Sequence, residues 1–446
     1  MADSMRDDTF DTIVIGAGSA GLAFARTAAD LGARVLLIER DALGGTCVNR
    51  GCVPKKILWA AGRTARSIAQ AADQGIAQSS SINFPALIRK RDAHIADIRA
   101  SFADQLTEKG VTVRRGEATV CNANTVVVGD ETYHAQHLVL ATGGRPARIE
   151  IEGAEHLQNS DDVLSWEARP EHLAIIGGGY IGCEFAAIFR ALGSEVTLIH
   201  NGPNILDKFP KDLALHAQSG LRETGISIQT NDSVTAIKKD DTLKYFCKSG
   251  RMGTADVVVA ASGRSPNIDQ LGEFVKALKT AESGALAISD QFQTSCAGVY
   301  AIGDVADRLP LTPVATADGT TLAHMLHGQG ATVANLDLVA TTAFVYPPAA
   351  FVGSTNNTKG KSGTVTPLAQ NVLGQSSHDP DFYQLSVDEK NKTLTGAAIA
   401  AEGAEDIIAM ASALIAAKAS ADAFTDATPV HPSFAEEFFS NTQTQE

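Results

Sequence analysis

The chain has 446 residues, which is too long for a single hydrophobic core and predicts several domains. Hydrophobic residues make up 44% and charged residues 20%, as in globular proteins, and no apolar run is long enough to span a membrane. The formal net charge of −14 disfavours a nucleic-acid-binding surface. The first eight residues are acidic and polar, unlike a secretion or organelle signal, so a cytoplasmic location is expected.

An apolar strand at residues 12–15 runs into a glycine-rich turn, followed by a helix to about residue 31 and a second strand at 34–38. This pattern is typical of a dinucleotide-binding unit. Gly16 allows the tight turn, Gly18 lets the backbone approach a pyrophosphate, and Gly21 lets the helix pack on the strand. Glu39 ends the second strand, where an acid binds ribose hydroxyls. A glycine-rich turn in an ordinary βαβ unit is the alternative, and it leaves Glu39 unexplained.

Two cysteines, Cys47 and Cys52, lie five residues apart in a glycine-containing segment at 44–56. Residues 53–68 fit a helix with Pro54 in its first turn, which places Cys52 at a helix N-terminus, where the dipole favours a thiolate. Cys47 lies about one turn upstream, so reversible disulfide chemistry is favoured. Two unrelated buried cysteines and half of a metal site are the alternatives, but no second Cys/His cluster follows to complete a zinc site, so no metal is expected. The remaining cysteines are expected to be buried single thiols in a reducing compartment: Cys121, Cys183, Cys247 and Cys296.

A second dinucleotide fingerprint begins with a strand at 172–176. It continues through Gly177, Gly179 and Gly182 into a helix to about residue 192 and a strand at 195–200. Two such units in one chain predict two bound dinucleotides. The alternative is that one of the two is vestigial.

The other segments predict a mixed α/β chain. Residues 84–109 read as a long amphipathic helix with a core stripe of Ile88, Ile95, Ile98, Phe102 and Leu106. Strands are predicted at 111–113, 125–128, 137–140 and 256–263. Near the C-terminus, antiparallel strands are predicted at 382–387 and 393–399, with a helix at 405–418.

The motifs from about Asp11 to Ser440 resemble those of the class I flavoprotein disulfide reductases, and the paired Lys55 and Lys56 resemble the glutathione reductase branch. The resemblance implies an α/β fold with two doubly wound dinucleotide-binding domains, for FAD and a nicotinamide, and a C-terminal α+β dimerisation domain. The implied boundaries are 1–143 for the first FAD segment with the redox disulfide, 144–266 for the NAD(P)H domain, 267–338 for the central FAD segment and 339–446 for the interface domain.

The resemblance also implies catalytic roles. Cys52 would be the thiolate beside the flavin and Cys47 the thiol that exchanges with substrate. His431 with Glu436 would act across the dimer on the partner's disulfide. Lys55 would pair with Glu184 near the flavin. The implied cofactor-binding residues are Gly16, Gly18, Ser19, Gly21, Glu39, Thr46, Thr142, Gly143, Gly177, Gly179, Tyr180, Gly182, His200, Arg264, Asp304 and Thr312.

The substrate positions depart from the glutathione reductase pattern. Thr320 stands where an arginine for a substrate carboxylate is usual, and His94 and Phe102 stand where tyrosines are usual, while Arg26 matches another substrate-facing arginine. The nicotinamide positions depart as well. Asn201 and Asp207 replace the arginines typical of NADPH-dependent members, and His200 replaces the glutamate typical of NADH-dependent ones. NADPH is the expected reductant, with NADH as the alternative.

The resemblance therefore implies a homodimeric enzyme with shared active sites that passes hydride from NAD(P)H through FAD to the Cys47–Cys52 pair and then to the disulfide of a low-molecular-weight thiol. A non-glutathione thiol disulfide and a dihydrolipoamide-dehydrogenase-like activity are the alternatives. A mercuric reductase or a large thioredoxin reductase would carry C-terminal cysteines, and none follows Cys296. A flavoprotein binding module would not need both cysteines, the histidine and the lysine.

Overall fold

The structure, a computed structural model, describes residues 9–73, 76, 81–355, 359–365, 381–388, 390–420 and 422–431. The described strands are β1 Thr9–Ile15, β2 Val35–Glu39, β3 Thr112–Arg115, β4 Ala118–Asn122, β5 Thr125–Val128, β6 Glu131–Leu140, β7 Gly144–Pro146, β8 Gln158–Asn159, β9 His172–Ile176, β10 Glu195–Ile199, β11 Ser227–Gln229, β12 Val234–Lys239, β13 Leu243–Cys247, β14 Met252–Ala255, β15 Val257–Ala260, β16 Arg264–Pro266, β17 Val299–Ala301, β18 Thr341–Ala343, β19 Ala349–Gly353, β20 Lys359–Val365, β21 Asp381–Val387 and β22 Leu394–Ala400.

The described helices are α1 Ser19–Asp30, α2 Gly45–Arg50, α3 Cys52–Asp73, α4 Phe84–Glu108, α5 Ser160–Val163, α6 Tyr180–Ala191, α7 Lys211–Glu223, α8 Glu273–Lys276, α9 Thr312–His327, α10 Ala404–Ala416 and α11 Asp422–Asp426. The chain forms two compact units. The first contains the described residues within Met1–Lys55, Ile88–Ala147 and Arg264–Leu336, and the second those within Lys56–Leu87, Arg148–Gly263 and Asp337–Glu446.

The first unit is built on one sheet in the order β3-β2-β1-β6-β5-β4, with β17 parallel to β6. The strands β3, β2, β1 and β6 are parallel. The central β2 and the C-terminal ends of β1 and β6 are apolar and buried, as expected for strands covered on both faces, whereas the edge strand β3 is exposed. Successive residues of β1 serve opposite faces: Ile13 and Ile15 join one buried cluster, while Val14 joins the cluster that contains α1 and α9. The sheet is therefore covered on both faces, as a doubly wound fold requires.

The second unit contains a parallel sheet in the order β11-β10-β9-β15-β8 and an antiparallel meander β12-β13-β14. It also contains the C-terminal antiparallel sheet, in the order β18-β19-β22-β21-β20. Helix α10 packs on that sheet, because Ala404, Ile408 and Ala411 share a buried cluster with Val352 and Ile399. These observations confirm the predicted α/β class with two nucleotide-binding folds and an α+β C-terminal domain.

The long helix and the two fingerprint units lie where the sequence predicts them, and their ends differ from the predicted ones by at most three residues. The sequence did not predict β4 or the β12–β14 meander, which are short and irregular. The prediction of buried thiols is correct for Cys183 and Cys247 but wrong for Cys121 and Cys296. Cys121 is exposed because it lies on the outer face of the edge strand β4, and Cys296 is half-buried because it lies in the turn before β17. The four proposed domain boundaries stay a prediction. Among the described helices, none is long and apolar enough to cross a bilayer.

Candidate active site

The first fingerprint forms an open cradle at the end of β1. Gly16 has φ +104°, and a Cβ there would lie 2.4 Å from the carbonyl oxygen of Ala141, so only glycine fits the turn. Gly18 caps helix α1 without any side-chain hydrogen bond, which leaves the first amides of the helix available to an anion. Glu39 accepts hydrogen bonds from the backbone N–H of Ala17 at 2.7 Å and of Asp41 at 2.8 Å, so its carboxylate lies beside the turn.

The cysteine-bearing segment lies directly on this fingerprint. The N–H of Gly44 donates to the carbonyl oxygen of Ala17 at 2.9 Å. Gly45 has φ +55°, and a Cβ there would lie 2.7 Å from the Cα of Gly18. Helix α2, which carries Thr46 and Cys47, therefore begins against the turn of the first fingerprint.

The two cysteines are both free thiols, and they lie within one hydrogen-bonded cluster. Cys52 is the first residue of α3, and its Sγ lies 3.3 Å from Oγ1 of Thr312 at the start of α9. A hydrogen bond to Cys52, together with burial, raises the pKa of the Cys47 thiol well above its usual range. Hydrogen bonds from Thr312 and Ser19 to Cys47 oppose this rise. The structure thus brings together the predicted pair, the predicted helix start and two predicted cofactor-binding residues.

Asn49, which lies between the two cysteines, stabilises the cysteine-bearing segment through hydrogen bonds of its side-chain amide. Its Nδ2 donates to the carbonyl oxygens of Leu43 at 3.0 Å and Gly45 at 2.9 Å. Its Oδ1 accepts a 2.5 Å hydrogen bond from Nε of Arg99 on α4. The neighbouring Arg50 is paired with Asp41 at 2.5 Å.

The remaining predicted flavin residues surround the ends of β6, β16 and β17. Thr142 donates from Oγ1 to the carbonyl oxygen of Asn267 at 2.7 Å, and the N–H of Asn267 donates to Gly143 O at 2.9 Å. Arg264 donates to the carbonyl oxygen of Gly144, and its Nε lies 3.9 Å from Oδ2 of Asp304. Burial raises the pKa of Asp304, which the charge of Arg264 opposes.

These features fit a flavin dinucleotide. The uncapped N-terminus of α1 suits a pyrophosphate, and the carboxylate of Asp304 suits the hydroxyls of a polyol chain. No described group of three or more His, Cys, Asp or Glu side chains is arranged to hold a metal ion.

The predicted substrate residues are only partly brought together. Arg26 on α1 donates from Nη1 to Oε1 of Gln105 at 2.6 Å, and its guanidinium lies 5.4 Å from the centre of the Phe102 ring. His94 is exposed on helix α4, about two turns before Phe102, and Thr320 is half-buried on α9. Within the described part of the chain, no hydrogen bond or ring contact joins His94 or Thr320 to Arg26.

The second fingerprint repeats the first in the second unit. Gly177 has φ +117°, and Gly179 caps α6 without a side-chain hydrogen bond. A Cβ at Gly182 would lie 2.0 Å from the carbonyl oxygen of Gly177, so close packing of helix on strand explains this glycine. Tyr180, the first residue of α6, is 37% exposed.

The backbone N–H and carbonyl groups of Gly178 make three hydrogen bonds. Its N–H donates to Nδ1 of His200 at 3.2 Å. Its carbonyl oxygen accepts from the N–H of Leu206 at 2.7 Å and from Sγ of Cys183 at 3.3 Å. His200 is only 9% exposed, and its Nε2 is buried without a hydrogen-bond partner among the described residues. The side chain predicted to meet the nucleotide therefore also supports the turn beneath it.

Beyond its first turn, α3 is anchored within the second unit by aromatic rings. Trp59 is buried and stacks on Tyr346 at 5.8 Å, and the Tyr346 hydroxyl donates to the carbonyl oxygen of Trp59 at 2.7 Å. Lys56 lies 3.7 Å from the centre of the Phe344 ring and donates to Oε1 of Glu405 at 2.9 Å. These contacts hold α3 from Lys56 onward within the second unit.

Three further predicted catalytic residues have less local evidence. Glu184 is buried, and its Oε1 accepts from the N–H of Phe344 at 2.9 Å. Lys55 and Glu184 belong to different compact units, and their pairing stays a prediction. His431 is exposed at the end of the described chain, and Glu436 lies outside the described residues.

Sequence reasoning missed Asn49, Arg99 and Asn267 as parts of the site. Arg99 precedes Phe102 by three residues, which places the two on neighbouring positions of one helical face, so helical spacing could have identified it. Asn49 stands between the cysteines, where a side chain that satisfies backbone carbonyls is expected. Asn267 gave no signal in the sequence beyond its position after a turn.

The fold and the site define a flavoprotein disulfide reductase. Residues 10–319 match the family model "pyridine nucleotide-disulphide oxidoreductase", and residues 339–441 match the dimerisation domain of the same family. The chain belongs to this family, and the resemblance inferred from its motifs is confirmed.

Relatives with two different names match almost the whole chain. It is 35% identical to a glutathione reductase of Nostoc sp., over 96% of this chain and 98% of that protein. It is 34% identical to a glutathione reductase of Burkholderia cepacia, over 97% and 98%. It is 32% identical to a dihydrolipoyl dehydrogenase of Staphylococcus aureus, over 96% and 94%.

Proposed function

We propose that this protein reduces the disulfide of a low-molecular-weight thiol with electrons from NAD(P)H, in the manner of a glutathione reductase. The observation that carries the proposal is the free thiol pair Cys47 and Cys52 at the start of α3, in contact with Thr312 and seated on the first fingerprint. A cysteine pair held at that place can accept two electrons from a bound flavin when it is oxidised to the disulfide, and the resulting dithiol can give them to an external disulfide.

FAD, when bound, supplies a ring that accepts hydride from the nicotinamide and returns two electrons to the Cys47–Cys52 disulfide. Gly16, Gly18 and Glu39 would hold its adenosine and pyrophosphate, and Asp304 its ribityl chain. The position of Cys52 at the N-terminus of α3 stabilises its thiolate through the helix dipole.

Turnover of substrate follows as two thiol–disulfide exchanges. Cys47 loses its proton to His431 of the partner subunit and attacks one sulfur of the substrate. A mixed disulfide forms, and the first substrate thiolate leaves and takes that proton. The Cys52 thiolate then attacks the sulfur of Cys47, which releases the second thiolate, to be protonated from solvent, and restores the Cys47–Cys52 disulfide. Glu436 would orient the histidine ring.

Helix α10 supports a homodimer of the kind that this mechanism needs. Its inner face is buried on the C-terminal sheet, while Met410 on the other side is 62% exposed and is flanked by the exposed Ala409 and Ala413. An apolar helix face of this kind is typical of a subunit interface. The match of residues 339–441 to the family's dimerisation domain agrees with this interpretation.

For the reductant we propose NADPH with weak discrimination against NADH. Nδ1 of His200 accepts from the N–H of Gly178 and Nε2 is buried, so the ring supports the turn and does not itself select between a phosphate and a ribose hydroxyl. Lys208 and Lys211 are exposed just downstream and add positive charge, whereas the exposed Asp207 opposes it.

Dihydrolipoamide dehydrogenase activity is the second candidate. It is favoured by the relatives of that name and by the absence of an arginine at positions 201 and 207. The test is one panel of disulfides, with glutathione disulfide and oxidised lipoamide among them, assayed with NADPH and NADH in parallel. We expect turnover of small disulfides, and kcat/KM values for NADPH and NADH that differ by less than about 100-fold, about 3 kcal/mol in transition-state binding. Failure of every small disulfide with a flavin-loaded enzyme would reject the proposal, and a preference for lipoamide with NAD⁺ in the reverse direction would favour the second candidate.

A further inference from the structure

We propose that Arg99 is the substrate-carboxylate anchor of this enzyme, so that its substrate is a disulfide that carries an ionised carboxylate. This inference rests on the proposed function, because it assigns the substrate class of the same site. It starts from the hydrogen bond between Nε of Arg99 and Oδ1 of Asn49, which connects α4 to helix α2 at a position between the two cysteines.

Asn49 orients the guanidinium. The side-chain amide of Asn49 is fixed because its Nδ2 faces the carbonyl oxygens of Leu43 and Gly45, so its Oδ1 must face Arg99. With Nε engaged, the outer edge of the guanidinium, formed by Nη1 and Nη2, makes no hydrogen bond to any described residue. The planar fork of Nη1 and Nη2 matches the two oxygens of a carboxylate.

The charge of Arg99 is not neutralised by its surroundings. Its side chain is exposed, and among the described residues no carboxylate lies within ion-pair distance of its guanidinium. The neighbouring Arg50, by contrast, is already paired with Asp41. Arg99 therefore offers an available positive charge beside the redox segment.

Arg26, the carboxylate anchor expected from the sequence, makes more contacts within the protein than Arg99 does. It donates from Nε to the carbonyl oxygen of Leu22 at 3.1 Å and from Nη1 to Gln105 at 2.6 Å, and it lies over the ring of Phe102. Burial also lowers the pKa of its guanidinium. Arg99 lies one helical turn from Phe102 and makes fewer hydrogen bonds than Arg26. It therefore takes the role of carboxylate-binding arginine, which Thr320 on α9 cannot fill.

The test compares disulfides that differ only in charge: oxidised lipoate with oxidised lipoamide, and glutathione disulfide with its carboxamide derivative. Arg99→Met should lower kcat/KM for each carboxylate-bearing member by about 10- to 100-fold, mainly through KM, and change that for the neutral member by less than about threefold. Arg99→Lys, which keeps the charge but loses the fork, should fall between. Arg89→Met is the matched control, since Arg89 is exposed on the same helix about 15 Å away along its axis.

A binding measurement separates anchoring from positioning. In a Cys47→Ser background, which cannot turn over, Arg99→Met should weaken the calorimetric Kd for glutathione disulfide but not for its carboxamide. If Arg99 only positioned Asn49, neutral and charged disulfides would lose rate equally, and the long-wavelength absorption of the Cys52 thiolate beside the flavin would change. That result overturns the inference and leaves the proposed function standing. If the wild type reduces neither member of either pair, the proposed function and the inference fail together.

Discussion

Replacing His200 with leucine removes the side-chain acceptor of the N–H of Gly178. The site is nearly closed, since His200 is 9% exposed and a Cβ on Gly178 would lie 2.8 Å from the imidazole Cγ. Water therefore has little room to replace the ring. Leaving a buried N–H unpaired costs about 1–3 kcal/mol. If the turn must be ordered to bind the nucleotide, this cost weakens binding by about 5- to 150-fold.

The assay is the Kd of NADPH and of NADH for the oxidised, flavin-loaded enzyme, measured by quenching of nicotinamide fluorescence. His200→Leu should weaken both nucleotides by similar factors, because the peptide of Gly178 supports either one. His200→Asn should retain most of the affinity, because its side-chain oxygen can occupy the place of Nδ1. His156→Leu, in the same compact unit but outside the fingerprint, is the matched control.

Two outcomes would refute this reasoning. An unchanged Kd in His200→Leu would mean that Gly178 does not need the imidazole. A loss confined to NADPH would mean that His200 contacts the 2′-phosphate and does not act through the turn. Melting temperatures measured in parallel would show whether a loss of affinity reflects general unfolding.

Three further predictions concern the dithiol, the dimer and pH. Cys47→Ser and Cys52→Ser should each abolish disulfide turnover. Only Cys47→Ser, which keeps Cys52, should show the long-wavelength thiolate–flavin absorption. If Cys52→Ser showed this absorption instead, Cys47 would be the thiolate beside the flavin. His431→Ala should lose about 100-fold or more in rate. Heterodimers of one His431→Ala chain and one Cys47→Ser chain should regain activity if the histidine acts across the interface. If these heterodimers stay inactive, His431 serves the site of its own chain. Burial lowers the pKa of His137 and His327, so the unfolded chain takes up their protons first as the pH falls below about 6.5. The free energy of unfolding should therefore decrease from pH 7 to 5 and level off below the folded-state pKa values. The decrease should be smaller in His137→Gln than in the wild type. An equal decrease in the two proteins would exclude His137 as a cause.

Much of the site follows from local sequence. The two fingerprints were predictable because a tight turn, a close backbone approach and a close helix–strand contact each need glycine at a fixed spacing. The start of α3 at Cys52 followed from Pro54 and the helical pattern after it. The strands β1, β2, β9 and β10 followed from apolar runs that only a sheet covered on both faces requires.

The tertiary structure decided which side chains meet. Arg99 reaches Asn49 across 50 residues of sequence, and His200 reaches Gly178 across 22. Arg26 was expected to face the substrate, but its partners on α4 were not predictable. Side-chain direction at such positions depends on how separate elements pack, and neither periodicity nor spacing contains that information. The sequence by itself therefore determined the chemistry at the two cysteines and the two nucleotide turns, whereas packing decided the charge beside the thiols and the support beneath the second turn.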